Sequence, residues 1–149
     1  TGGVFKQLKK LKELNLSENK IVKIDENVFT ANEKLEFLNM GHNNISELPA
    51  NLFKSQESLT VVYMQNNQLE TFPKDLFAQC PALMELRVDN NQIKELPKKL
   101  FESNKKFKLL NLLNNQIEKF DGKILPEGME LLYVGELGIH NCVLFAFEL

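Results

Sequence analysis

The chain has 149 residues, of which 43% are hydrophobic, and a formal net charge of −2 at neutral pH. This length and apolar content are ordinary for one globular domain. The nearly balanced charge disfavours nucleic-acid binding, which needs a basic stripe of phosphate contacts, and no apolar run approaches the ~20 residues that span a bilayer.

A repeat of 24 residues organises the chain, and its clearest copy is 83–106, LMELRVDNNQIKELPKKLFESNKK. Residues 35–58 and 59–82 are close variants of it. The register is carried by a column of phenylalanines and a column of asparagines. They are Phe5, Phe29, Phe53, Phe77 and Phe101, and Asn19, Asn43, Asn67, Asn91 and Asn115. A fixed period of this size predicts a solenoid of stacked units.

Each unit follows the frame L-x-x-L-x-L-x-x-N-x-I/L-x-x-L. In the fourth unit it is filled by Leu83, Leu86, Val88, Asn91, Ile93 and Leu96. This frame resembles the leucine-rich repeat family in its 24-residue form, similar to Toll-like receptor ectodomains and related secreted recognition proteins. The resemblance implies an α/β solenoid, that is, a right-handed coil with a parallel concave β-sheet and irregular or short-helical return segments.

The same fold follows from the physics of the frame. In L-x-L the two apolar side chains point to one face of an extended segment, and stacking successive segments in parallel buries that face. The asparagine stands where the chain leaves the strand and frees backbone polar groups. An amide carries donors and an acceptor, so we expect the asparagine column to satisfy neighbouring turns on both sides.

In chain order, residues 1–10 are expected to be the tail of a truncated upstream repeat, because Val4 and Phe5 match the end of the next unit. We therefore expect further repeats or a cap upstream, or an edge that pairs with another molecule. Residues 11–128 form five repeats, of which the last is shortened and reads DGKILPEG. Residues 129–149 are a degenerate terminal repeat and a C-terminal cap or the start of one.

The C-terminal residues 143–149 are apolar and are expected to cover the last turn as a short helix or an extended lid. Cys142 resembles the cysteine of the disulfide-bonded cap of extracellular leucine-rich repeat proteins, and its alternative role is a buried thiol. Cys80 lies about three turns away. Three turns of ~4.8 Å exceed the separation that a disulfide tolerates, so we predict that the two cysteines are not bonded to each other.

Side chains at the outward positions of the strands are not needed to pack the core, so these positions are the candidate partner-binding surface. Both tyrosines and the single arginine fall in one of these columns, and large apolar side chains accompany them. The candidate residues are Phe37, Asn39, Val61, Tyr63, Glu85, Arg87, Asp89, Leu109, Asn111 and Tyr133. The alternative is that Tyr63 and Arg87 only stack on each other while Glu85 and Asp89 neutralise Arg87, which stabilises a sheet without any partner.

No catalytic or metal-binding constellation is found in the sequence, and neither an enzyme nor a cofactor is expected. His42 and His140 are far apart in the predicted coil, and no serine or cysteine is placed beside a base. Two sequons, at Asn15 and Asn44, would permit glycosylation in a secreted protein.

The sequence thus predicts a non-catalytic protein-binding module whose partner, a protein, lies on the concave face, since broad shallow curvature suits a macromolecule. The resemblance implies an extracellular or cell-surface protein of the innate-immune or receptor type. The alternative is an intracellular, cytoplasmic leucine-rich repeat scaffold. A third reading is a structural repeat segment that forms a homodimer through exposed solenoid ends.

Overall fold

Short strands, one in each turn of the chain, form a single sheet in sequence order. The computed structural model describes residues 3–135 together with the backbone of 143–145. The strands are β1 (Glu13–Asn15), β2 (Phe37–Asn39), β3 (Val61–Tyr63), β4 (Glu85–Arg87), β5 (Leu109–Leu112), β6 (Leu131–Val134) and β7 (Val143–Phe145). Strands β1 to β6 are parallel, and β7 pairs antiparallel with β6. The predicted right-handed repeat coil with a parallel sheet is confirmed.

The strand register follows the sequence repeat. Leu86 pairs with Leu110, 24 residues on, whereas Leu110 pairs with Leu132, 22 residues on. The shortened fifth unit therefore loses two residues from its return segment and none from its strand. That segment holds a 3₁₀ helix, Gly122–Ile124, in which the Asp121 carboxylate accepts a hydrogen bond from the Lys123 N–H at 3.0 Å. In the part of the chain that the structure describes, no helix has the length and apolarity to cross a membrane.

The C-terminal prediction is met only in part. Of the two alternatives for residues 143–149, the extended one holds for Val143–Phe145, and 146–149 lie outside the described residues. Cys142 also lies outside them, so its role and the predicted absence of a bond to Cys80 stay predictions.

The leucine rows fill the interior. Leu86, Val88 and Phe101 have at most 1% of their surface exposed, as the repeat predicts. The first turn is less well covered, and its core residues Leu11, Leu14 and Leu16 are only partly buried because no described turn packs on their outer side. Along the return side the phenylalanine column stacks face to face, with ring centroids 5.6–6.3 Å apart from Phe5 to Phe101. Phe107 extends the stack at 4.3 Å.

The asparagine column is a hydrogen-bonded ladder. The Asn91 side-chain N–H₂ donates to the carbonyls of Val88 in its own turn and Met64 in the preceding turn, both at 3.0 Å. Its Oδ1 accepts the Leu69 N–H at 3.0 Å. Asn43, Asn67 and Asn115 repeat this pattern. The expectation that each amide reaches both neighbouring turns was wrong, because each one bonds its own turn and the preceding one.

A second polar column lies on the return side and was missed in the sequence. Its members are fully buried and recur every 24 residues: Asn32, Gln56, Cys80 and Asn104. Asn32 donates to the carbonyls of Phe5 and Leu8, and Gln56 donates to the carbonyl of Phe29 at 2.8 Å. These bonds satisfy carbonyls of the preceding turn at the phenylalanine bend. Cys80 fills the third place, with its Sγ 3.9 Å from the Phe53 carbonyl oxygen.

Burial raises the pKa of the Cys80 thiol to about 12, from an ordinary value of 9.0. Because the folded pKa lies above the unfolded one, the neutral thiol's contribution to stability is complete below about pH 9 and is lost as the pH rises toward 12. We expect the free energy of unfolding, measured by urea denaturation, to fall more steeply over this range in the wild type than in Cys80→Ala. Equal slopes in the two proteins would contradict the assignment.

Candidate protein-binding surface

The outward positions of the sheet form three columns, which together are called the concave face. The first is Glu13, Phe37, Val61, Glu85, Leu109 and Leu131, and the middle one is Asn15, Asn39, Tyr63, Arg87, Asn111 and Tyr133. The third column lies two residues after the middle one in each turn and consists of Ser17, Gly41, Gln65, Asp89, Leu113 and Gly135. All ten candidate residues therefore lie on one face, because side chains alternate across a strand.

A network of three strands occupies the centre of the concave face. The rings of Phe37 and Tyr63 meet edge to face with centroids 5.3 Å apart, and the Arg87 guanidinium lies 4.8 Å over the Tyr63 ring. The Glu85 carboxylate accepts hydrogen bonds from the Tyr63 hydroxyl at 3.0 Å and from the Arg87 Nε at 2.6 Å. Burial raises the pKa of Tyr63, and the bond to Glu85 raises it further, so the hydroxyl remains a donor at neutral pH.

Asp89 lies beside this network, and its direct contacts are amide groups. Its Oδ1 accepts from the Asn111 amide at 3.0 Å and its Oδ2 from the Asn90 amide at 2.8 Å. Glu85 alone forms a salt bridge with Arg87. Burial lowers the pKa of Arg87, whereas the bond and charge of Glu85 and the charge of Asp89 raise it. Both carboxylates therefore act on Arg87, as the alternative interpretation of these residues has it, and only Glu85 contacts it directly.

Apolar side chains lie on both sides of the central network. Phe37 and Val61 are half-buried on β2 and β3, and Leu109 is half-buried on β5. Leu131 of β6 is 42% exposed. Neighbouring apolar side chains on one face of a sheet also pack on each other, and those that stay exposed are candidate contacts for a partner.

Three asparagines of the middle column also have a local structural role that sequence reasoning missed. The Oδ1 of Asn15, Asn39 and Asn111 accepts the backbone N–H two residues on, from Ser17, Gly41 and Leu113 respectively, at 2.9–3.1 Å. This arrangement fixes the chain as it leaves the strand, which short polar side chains do readily. An asparagine recurring at the strand end was the available signal. These residues support the face as well as line it.

The family is settled by sequence. The family model described as leucine rich repeat matches residues 1–45 and 41–93, together more than half of the 149 residues. The chain belongs to the leucine-rich repeat family. No curated protein matches it significantly.

Solved structures similar to this leucine-rich repeat chain include those of APL1, of Toll and of TLR13. The leucine-rich repeat domain of APL1 is 26% identical with a TM-score of 0.82, covering 87% of this chain and 34% of that one. The Drosophila Toll–Spatzle complex is 27% identical with a TM-score of 0.68, covering 75% of this chain and 15% of that one. The TLR13–ssRNA13 complex is 31% identical with a TM-score of 0.75, covering 80% of this chain and 17% of that one. The chain thus spans about a third or less of each relative.

Other surfaces of the leucine-rich repeat chain are shallow and of mixed charge. A hollow of about 740 Å³ on the return side is lined by Lys6, Lys9, Asn27, Val28, Thr30, Ala31, Glu33 and Lys34. Its lysines are interspersed with an acid and apolar groups, as expected for a solvated face.

Within residues 3–135, no group of three or more His, Cys, Asp or Glu side chains is arranged to hold a metal ion. The asparagines of both sequons, Asn15 and Asn44, are exposed.

Proposed function

We propose that this leucine-rich repeat chain is a non-catalytic recognition module of an extracellular, innate-immune type of protein, and that it binds a protein partner through the concave face. The observation that carries the proposal is the exposure of apolar side chains on that face, above all Leu131 at 42%. Aromatic and arginine side chains stand beside them, and these are the residue types that dominate binding energy at protein interfaces.

The relatives support a protein partner, and the charge pattern favours protein over RNA. Toll is found with Spatzle, a protein, whereas TLR13 is found with a single-stranded RNA. RNA binding relies on cations available to phosphates. Here the cations on or beside the concave face already pair with carboxylates, as Lys12 does with Glu36 at 2.7 Å, Arg87 with Glu85, and Lys108 with Glu130.

The proposal is tested by site-specific photo-cross-linking. A photoreactive amino acid replaces Leu113 on the concave face or, as the control, Glu102 on a return segment. Each labelled full-length protein is then incubated and irradiated in fluid from its native source. We expect a protein adduct from position 113 only, suppressed by excess unlabelled chain. The purified adduct partner is then expected to bind the Tyr63→Ala, Arg87→Ala double variant about 100-fold more weakly, since two interface anchors of about 1–2 kcal/mol each are removed.

Equal adducts from both positions, or an unchanged affinity of the double variant, would favour an inert face and a structural role for the repeats. An RNA adduct would contradict the protein partner. Secretion with glycan mass on Asn44 would support the extracellular context, and its absence in a secretory host would favour the intracellular scaffold.

A further inference from the structure

Glu85 and Arg87, at the centre of the concave face, keep part of their hydrogen-bonding capacity. A single carboxylate oxygen, Glu85 Oε1, accepts both from the Tyr63 hydroxyl at 3.0 Å and from the Arg87 Nε at 2.6 Å. Among the residues that the structure describes, Glu85 Oε2 and the two Nη atoms of Arg87 have no hydrogen-bond partner. The Glu85 side chain is 21% exposed and that of Arg87 44%, so both reach the surface. The pair therefore offers one acceptor and a fork of donors.

The pair is fixed in place and neutral as a whole. The Arg87 guanidinium is held by its Nε bond and lies 4.8 Å over the Tyr63 ring, which in turn meets the Phe37 ring edge to face. Groups that are already ordered lose little freedom when a partner binds. Since Glu85 balances the charge of Arg87, an incoming anion would be opposed by the carboxylate and an incoming cation by the guanidinium. The pair suits an uncharged group.

Apolar side chains lie on both sides of Glu85 in the first column of the concave face. Glu85 is paired in register with Val61 on β3 and with Leu109 on β5. Phe37 on β2 and Leu131 on β6 come next. Strands lie ~4.8 Å apart, so β2 and β6 are roughly 19 Å apart, which about six residues of extended chain would span at ~3.3 Å each.

We infer that the partner segment is uncharged, lies extended across the strands and is bound at its centre through its main chain. The N–H of one central residue donates to Glu85 Oε2, and the C=O of the same residue accepts from the Arg87 Nη atoms. In an extended chain these two groups point to the same side, as they do between paired strands. Apolar side chains of the segment pack on Phe37 and Val61 at one end and on Leu109 and Leu131 at the other. This inference rests on the proposed function and adds the chemistry of the ligand.

The test begins with random peptides of about twelve residues, twice the length that spans the column, displayed on phage and selected against the full chain. Peptides are kept when they lose binding to Leu131→Glu, which selects those that dock on the concave face. We expect the kept peptides to share an uncharged stretch with apolar side chains toward both ends. In calorimetry their affinity is expected to change less than about twofold between about 50 and 500 mM salt, because no exposed pair of unlike charges forms.

Main-chain recognition is tested on the unmodified chain by replacing single peptide N–H groups of a kept peptide with ester oxygens. Each replacement removes one donor and changes the shape little. We expect a loss of about tenfold at one central position and less than about twofold at the ends of the peptide, because only the central N–H meets a carboxylate oxygen that is left without a bond.

Glu85→Gln is expected to bind the peptide about tenfold more weakly and to remove most of the effect of the central ester. The amide oxygen keeps the bonds to Tyr63 and Arg87, and the N–H₂ group that replaces Oε2 cannot accept. Glu47→Gln is the matched control, because Glu47 is an exposed carboxylate on a return segment, and it is expected to bind like the wild type and to keep the ester effect.

Three results would overturn the inference and leave the proposed function standing. They are kept peptides with a charged central residue, equal small losses at every ester position, and a central ester loss that stays the same in Glu85→Gln. Finding no peptide that is sensitive to Leu131→Glu would overturn both the inference and the proposed function.

Discussion

Asn91→Ala is expected to lower the free energy of unfolding by about 1–3 kcal/mol, the cost of leaving a buried polar group without a hydrogen-bond partner. Removing the amide leaves the buried N–H of Leu69 unsatisfied. The carbonyls of Met64 and Val88 each lose one of two amide donors and keep the bonds from Asn67 and Asn115, so they add less to the cost. Urea denaturation followed by circular dichroism measures the change.

Asn19→Ala is the control for the ladder. Asn19 is the first residue of the asparagine column and is exposed. Its side chain donates only within its own turn, to the carbonyls of Leu16 and Ser17. Water can replace these bonds, so a loss below about 1 kcal/mol is expected. Similar losses for the two variants would show that the cost at Asn91 does not come from its bonds to the preceding turn.

Phe77→Ala is expected to cost about 3–5 kcal/mol, the usual range for emptying the site of a fully buried aromatic ring. Phe77 is 0% exposed and lies between Phe53 at 5.6 Å and Phe101 at 6.2 Å. Its removal leaves a cavity in the middle of the stack, and rings on both sides lose contacts. Thermal and urea unfolding should both show the loss, with the parallel sheet retained below the transition.

Phe5→Ala provides the comparison at the end of the same stack. Phe5 is half-buried and faces only one ring, Phe29 at 6.2 Å. A loss of about 1–2 kcal/mol is expected, because less apolar area leaves water and no enclosed cavity forms. If the two variants lose equal stability, the stack is not a continuous packed column and the ring at position 77 has no special weight.

The repeat predicted most of the fold because residues 24 positions apart become spatial neighbours in a coil. Leu86 and Val88 could be assigned to the interior from their letters, and so could the ladder role of Asn91. The return-side column was equally periodic but was missed, because Asn32, Gln56, Cys80 and Asn104 differ in type and only their shared burial reveals their common task. A polar residue recurring at period 24 in an apolar bend was the usable signal.

For the concave face, too, the sequence predicted some features and only the structure revealed others. The sequence by itself determined the fold, the family and which side chains face outward, since a two-residue alternation leaves no other choice once the leucines face inward. Only the tertiary structure decided how those side chains pair: Glu85 accepts hydrogen bonds from both Tyr63 and Arg87, while Asp89 accepts them from two amides. The reason is physical. Period and alternation fix backbone positions, whereas pairing depends on ångström-scale distances and rotamers across neighbouring strands, which no spacing of letters records.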